Sequence, residues 1–249
     1  MWIVAALFGL FIGSFLNVVN LRFGKWKSIA TSRSNCVHCK HTLSWFDLIP
    51  VLSFGLLGGK CRYCHKPISI QYPIIELLSA ILAGLIWWHY QPESTSQIIL
   101  AILTIIFGYI FLLMSIEDVK QMEVHDELFW SAIVIGVIIA VFTQHSLVSL
   151  LLGVASAAGL LFLLTTVSKE RWMGWGDVLV AVPVGIILGY PLGLLWILTG
   201  FWVGAIYGVG LMALKIKKRT DPVPFLPILL ASFVIVLLWG DRIVNWYLK

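Results

Sequence analysis

Charge is what this chain most conspicuously lacks. Asp, Glu, Lys and Arg make up 12% of its 249 residues, against roughly a quarter in an ordinary soluble domain. With 60% hydrophobic residues and a mean hydropathy of +0.96, a water-soluble globule is excluded. Low-complexity tracts and convincing internal repeats are also missing, so neither a disordered chain nor a repeat array fits. Cysteine is confined to four positions, all between residues 36 and 64. The first apolar run has no basic segment before it and no small-residue cleavage site, so a retained helix is expected there rather than a removed signal peptide.

What fills the chain instead is a series of apolar runs, each near the ~20 residues that cross a bilayer as a helix. Spans are predicted near residues 2–21, 73–90, 98–116, 128–143, 146–167, 178–190, 191–214 and 226–240. The expected fold is all-α, a polytopic transmembrane bundle of about eight spans. Sorting Lys and Arg among the intervening loops puts fifteen of the seventeen on one side, leaving only Arg242 and Lys249 on the other. Cytoplasmic loops of membrane proteins carry that excess. Both termini are therefore expected outside, in a cytoplasmic membrane, with the basic loops inside. The net charge of +5 serves topology and anionic lipid headgroups; no nucleic-acid partner is expected.

Residues 22–72 break the membrane pattern. They hold all four cysteines and eight cations, and they are too long for an ordinary connection. The expected organisation is a first transmembrane helix over 1–21, a small cytoplasmic four-cysteine domain over 22–72, and a transmembrane domain over 73–249. The stretch from Trp45 to Leu57 is apolar enough to lie along the bilayer or against the helices.

Cys36-Val-His-Cys39 and Cys61-Arg-Tyr-Cys64 are two C-x-x-C turns, each able to offer a tetrahedral edge of thiolates. Together they make a four-sulfur shell suited to structural Zn2+. A reducing cytoplasm disfavours disulfides, while reduced or redox-active thiols are the other alternative. His38, His41 and His65 are possible substitute ligands, the favoured reading of each being an exposed polar residue.

Acids at span ends are costly and need explaining. Asp118 closes the third predicted span and Asp177 opens the sixth within Met173-Gly-Trp-Gly176-Asp177, and the charge sorting places both at the cytoplasmic boundary. Two carboxylates that meet there can share a proton, one acting as general base on water and the other as general acid. Gly174 and Gly176 would allow close backbone approach. Asp177 reads equally well as a helix cap, and Glu117, Glu123, Asp126 and Glu127 crowd the same loop as Asp118. Residue chemistry alone gives a carboxylate-rich rim without choosing the pair.

Resemblance chooses it. Gly13-Ser-Phe-Leu-Asn17-Val-Val, the two C-x-x-C pairs around Leu43-Ser-Trp-Phe-Asp47-Leu-Ile-Pro50, Pro67-Ile-Ser-Ile-Gln-Tyr-Pro73-Ile-Ile-Glu76-Leu, Asp118-Val-Lys120, Gly174-Trp-Gly176-Asp177 and Val223-Pro-Phe225-Leu-Pro227 resemble, in order, the motifs of the type IV prepilin peptidase family. The resemblance implies a membrane aspartic endopeptidase using Asp118 and Asp177, with Gly174, Gly176 and Lys120 in support. It implies a type IV pilin-like or pseudopilin precursor as partner, its basic leader cut after a glycine on the cytoplasmic face. It also implies S-adenosylmethionine-dependent methylation of the new N-terminus, associated with residues 22–72. Three positions depart from the family pattern: Val124-His125-Asp126 stands for Ile-Pro-Asp/Asn, Leu179 for a lysine, and Leu226 for a glycine.

Asn17, Asp47 and Glu76 are candidates for substrate or cofactor contact. Interhelical hydrogen bonding is the alternative for Asn17, and helix-dipole complementation for Glu76. Two other functions use the same residues: a membrane methyltransferase without proteolysis, or a cation transporter with a metal-sensing loop.

Overall fold

A computed structural model describes residues 1–24, 26–218 and 221–247. Lys25, Arg219 and Lys249, counted in the charge distribution, lie outside the described residues. Regular structure is helical: α1 (Trp2–Leu21), α2 (Trp26–Thr31), α3 (Leu52–Leu56), α4 (Gln71–Tyr90), α5 (Thr95–Gln121), α6 (Asp126–Thr143), α7 (Leu147–Ser168), α8 (Trp175–Leu188), α9 (Leu192–Ala213) and α10 (Leu226–Tyr247), with a 3₁₀ turn, η1, at Trp45–Leu48. No strand occurs among the described residues, only the isolated bridges Asn35–Thr42 and Lys60–Pro67.

Seven of these helices are long and apolar enough to cross a membrane. A shorter apolar helix, α8, lies over the expected sixth span. α8 has 14 residues, about 21 Å at ~1.5 Å per residue, short of the ~30 Å hydrocarbon core. It starts earlier than expected, at Trp175, and ends at Gly189, whose φ is +62°. The short helix survives because it is enclosed by α6, α7 and α9, which bury Val180, Ala181, Val184 and Ile187. α5 departs in the opposite sense. It runs past its apolar stretch through Glu117, Asp118 and Lys120, all good or tolerable helix residues, and stops at Met122 in the left-handed region.

The chain forms two compact units, Met1–Gln91 and Pro92–Lys249. In the first, α4 lies against α1, and the approach is backbone to backbone. A Cβ on Gly13 would sit 2.6 Å from Glu76 Cα, and one on Gly9 2.7 Å from the Ser79 carbonyl oxygen. Without water to drive association, such small-residue contacts are what hold membrane helices together. The cysteine segment hangs between these helices.

In the second unit, α5 begins under a capping box in which Ser94 and Gln97 each satisfy the other's backbone N–H. Its Phe107 and Phe111 pack with Phe233 of α10 at centroid distances of 5.3 and 6.2 Å. Trp196 of α9 is fully buried and donates from Nε1 to the Leu229 carbonyl at 3.0 Å. α7 and α8 meet at Gly153 and Gly185, where added Cβ atoms would reach backbone at 2.6 and 2.7 Å.

Candidate active site

Asp118 sits in the last turn of α5, half-buried. Its Oδ2 accepts the Leu226 N–H at 2.9 Å, and the Phe225 N–H also donates to the carboxylate. Leu226 opens α10, so these donors belong to the unsatisfied N–H groups that every helix start presents, at the positive end of its dipole. Pro224 and Pro227 flank them. Pro227, in the first turn of α10, sits where a missing N–H costs nothing.

Asp177 is 8% exposed and occupies the third position of α8, after Gly174 as N-cap. Its carboxylate accepts the Gly174 N–H, which is the reach-back half of a capping box. The helix-start reading of Asp177 is thus physically real, with Gly174 rather than Asp177 as the cap. The same carboxylate lies within coulombic range of Asp118. The end of α5 and the start of α8 therefore bring two acids, distant in the chain, near enough for one to feel the other's charge. Neither the Arg62–Asp47 ion pair nor the His125–Glu117 contact involves either acid.

The two glycines differ. A Cβ on Gly176 would lie 2.9 Å from Val124 Cγ2, whereas one on Gly174 would meet nothing nearer than 3.9 Å. Neither has a positive φ; Gly176 is there for the approach of the α5–α6 connection. Lys120 is exposed and follows Asp118 by two residues, about 200° round the helix, so the two side chains leave opposite faces.

Sequence reasoning left Glu117 as one of several acids crowding the Asp118 loop and named no partner for it. It is 3% exposed, accepts from Gln121 Nε2 at 3.1 Å and faces His125 Nε2 at 3.7 Å. The signal was available, since His125 stands at a departure from the family pattern and an acid precedes it by eight residues. The backbone donors of Phe225 and Leu226 had no such signal, because a main-chain N–H is invisible in residue identity.

In the first unit, the four thiols are free and their Sγ atoms lie within 4.8 Å of one another. Cys36 and Cys64 are 3.9 Å apart, close to the ~3.8 Å edge of a zinc tetrathiolate with ~2.3 Å bonds. The two turns are built alike. Cys36 N–H donates to the His41 carbonyl and Lys40 N–H to that of Cys36; Cys61 N–H donates to Lys66 and His65 N–H to Cys61, all at 2.9 Å. Lys40 and His65 take matching left-handed conformations, φ +58° and +57°. Burial favours the neutral Cys36 thiol, yet the N–H groups of Cys39 and His38 and the thiols of Cys61 and Cys39 outweigh it and bring it down to about 7. The donor set fits a metal ion held entirely by sulfur.

The remaining candidates are engaged in structure. Asn17 donates to the Gly13 and Tyr72 carbonyls, each at 3.2 Å, tying α1 to the start of α4. Asp47 accepts from Arg62 Nε at 2.8 Å, the Tyr63 hydroxyl at 3.1 Å and the Ser44 N–H at 3.2 Å. Glu76 accepts the Val51 N–H at 2.7 Å and the Ser14 hydroxyl.

Comparison with known proteins finds relatives over nearly the whole chain. Residues 7–90 match the bacterial peptidase A24 N-terminal domain and residues 105–209 the type IV leader peptidase family. The chain is similar to prepilin leader peptidase/N-methyltransferases of Legionella pneumophila (31% identity, covering 100% of this chain and 94% of the relative), Pseudomonas aeruginosa (31%, 98% and 92%) and Bacillus subtilis (29%, 98% and 96%). No solved structure matches.

Proposed function

We propose, since this chain belongs to the prepilin leader peptidase/N-methyltransferase family, that Asp118 and Asp177 are its proteolytic pair. The chain is a multi-pass membrane enzyme that cleaves prepilins and N-methylates the product. Its pairing of Asp118 and Asp177 within coulombic range, each held by backbone N–H groups, is the observation that carries the assignment.

In the reaction, one carboxylate is ionised and takes a proton from water, whose oxygen attacks the scissile carbonyl carbon. The other is protonated and donates to the carbonyl oxygen. Collapse of the tetrahedral intermediate breaks the C–N bond, and a proton passes to the leaving amine. Gly176 lets Val124 pack close, which fixes the start of α8; Gly174 and Lys120 support the rim. The bias of fifteen cations in seventeen supports a cytoplasmic position for the site, with both termini outside. The substrate is then a type IV pilin-like or pseudopilin precursor whose basic leader is cut after a glycine, beside the lipid in which both partners lie. Rim acids of this chain, rather than Asp47, would meet the leader's cations, because Asp47 is already paired with Arg62.

S-adenosylmethionine would supply the methyl group for the new N-terminus. Residues 22–72 are the proposed place for that step, with Zn2+ held by Cys36, Cys39, Cys61 and Cys64 as a structural ion. A fully sulfur-bound ion has no open position for water, so the metal holds the fold and the acids do the hydrolysis.

The test is cleavage of a synthetic prepilin-like precursor by wild type, Asp118→Asn and Asp177→Asn. Each variant keeps a carbonyl oxygen for its backbone donors, so the fold survives. Cleavage should fall by about 10³-fold or more, within the range that general acid–base groups contribute. Activity near wild type in either variant rejects the pair and favours a methyltransferase without proteolysis. A transporter would show graded loss of ion flux instead.

A further inference from the structure

The cysteine segment carries an apolar surface of its own. Trp45 is 77% exposed, Leu52 55% and Leu56 79%. On α3, Phe54 faces the turn at Gly59, where an added Cβ would meet the ring at 3.1 Å. At about 100° per residue, Leu52 and Leu56 lie one turn apart on the side opposite Phe54. A scattered exposed leucine needs no explanation; two leucines in register on a single-turn helix, with a tryptophan just before it, do.

Their depth supplies one. α4 has 20 residues, about 30 Å at ~1.5 Å per residue, which is the thickness of the hydrocarbon core. Its first turn therefore stands at the membrane boundary. Glu76 lies five residues past Gln71, about 7.5 Å along the axis, and it holds the Val51 N–H at 2.7 Å. Val51 is the residue before α3. The outward leucines are thus latched at the depth, ~5–10 Å, to which interfacial helices sink. Tryptophan is the residue that favours this zone. Lys60 and Lys66, both exposed, follow in the second cysteine turn, suited to lipid phosphates.

We infer that α3 and Trp45 form an interfacial membrane anchor, with bilayer lipid as the occupant of the Leu52–Leu56 face. Glu76 sets the depth and the leucines hold it, so the metal-binding turns ride on the headgroups. The inference rests on α1 and α4 as spans, not on the peptidase reading.

A photoreactive phenylalanine analogue in place of Leu56, in the full chain reconstituted into phosphatidylethanolamine–phosphatidylglycerol vesicles, tests it without any cleavage assay. The expected product under light is a phospholipid adduct at position 56, read by mass spectrometry. A crosslinked second copy, a crosslink to an added precursor, or no adduct each overturns the proposal. As a second measurement, Leu52→Asp with Leu56→Asp should leave bound metal unchanged while trypsin cleavage at Lys60 in vesicles accelerates on the order of tenfold. An unchanged rate also overturns it.

Discussion

In the first unit Asp47 and Glu76 are fully occupied by structure, whereas in the second Asp118 and Asp177 are held at the main chain. Asp47 is clamped by a guanidinium, a phenol and an N–H, and Glu76 by an N–H and a hydroxyl. Asp118 and Asp177 rest on backbone N–H groups at the starts of α10 and α8. Main-chain donors neither titrate nor carry a full charge, so they orient a carboxylate without neutralising it. A carboxylate held that way keeps lone pairs and a proton site for a reacting group. The difference separates acids that join parts of a fold from acids that can do chemistry.

Stripping the metal is the strongest attack on this division. Structural zinc contributes on the order of 10 kcal/mol to small metal-bound folds, so Cys61→Ser or chelation should unfold residues 22–72, seen as lost metal and rapid proteolysis. Methyl transfer should vanish while peptide cleavage persists. Parallel loss of cleavage would break the separation of roles.

A pair of glycine variants probes the helix contacts of each unit. Gly13→Leu drives a side chain into α4 and Gly153→Leu into α8, both Cβ atoms beginning 2.6 Å from backbone. Each should cost on the order of 3 kcal/mol, visible as a lower thermal midpoint in detergent. Only Gly153→Leu displaces the helix bearing Asp177, so it should lose cleavage well beyond what Gly13→Leu does.

These contacts mark the limit of what was legible in sequence. Long apolar runs read directly as helices, because ~20 apolar residues have few other uses. The cysteine spacing likewise anticipated a cluster that the structure closes to within 4.8 Å. The bounds of α8 were not legible, because its 14 residues adjoin α9 without a polar break, so apolarity alone fixes neither end of the helix. Which helix α1 pairs with was also hidden. Gly9 and Gly13 announce a close approach, but Ser79 and Ala80 of α4 announce nothing. Asp47 and Glu76 looked like free acids for a ligand because their partners, Arg62 and the Val51 N–H, depend on loop geometry that no period encodes.

Within the second unit, Gly176 sharpens the comparison on a smaller scale. Gly176→Ala places a Cβ 2.9 Å from Val124 Cγ2, the mobile end of a side chain, so the fold should tolerate it. The start of α8 must shift slightly, and sub-ångström misplacement of a catalytic group costs about one to two orders of magnitude in kcat. Val124→Ala in the same chain should restore most of it. Gly174→Ala, with 3.9 Å of room, should stay close to wild type, and a Gly174→Ala defect as large as that of Gly176→Ala would remove the close-approach explanation.

The smallest effect should come from Asp47, and its sign is informative. Burial would raise its carboxyl, but the Arg62, Ser44 and Tyr63 donors outweigh that and hold it below the usual carboxylate range. A lowered folded value stabilises at pH above the unfolded value, about 4, and that contribution disappears as pH falls through the folded value. Arg62 is 48% exposed, so solvent screens the pair and Asp47→Asn should cost only about 1 kcal/mol. Thiol protonation also releases metal in acid, but it affects wild type and variant alike, so the difference between them isolates Asp47. That difference, followed by proteolysis of residues 22–72, should be constant near neutrality and close below about pH 4. A difference that widened in acid would mean that Asp47 is held protonated, which would place it with the proposed proteolytic pair of the second unit rather than with the clamps of the first.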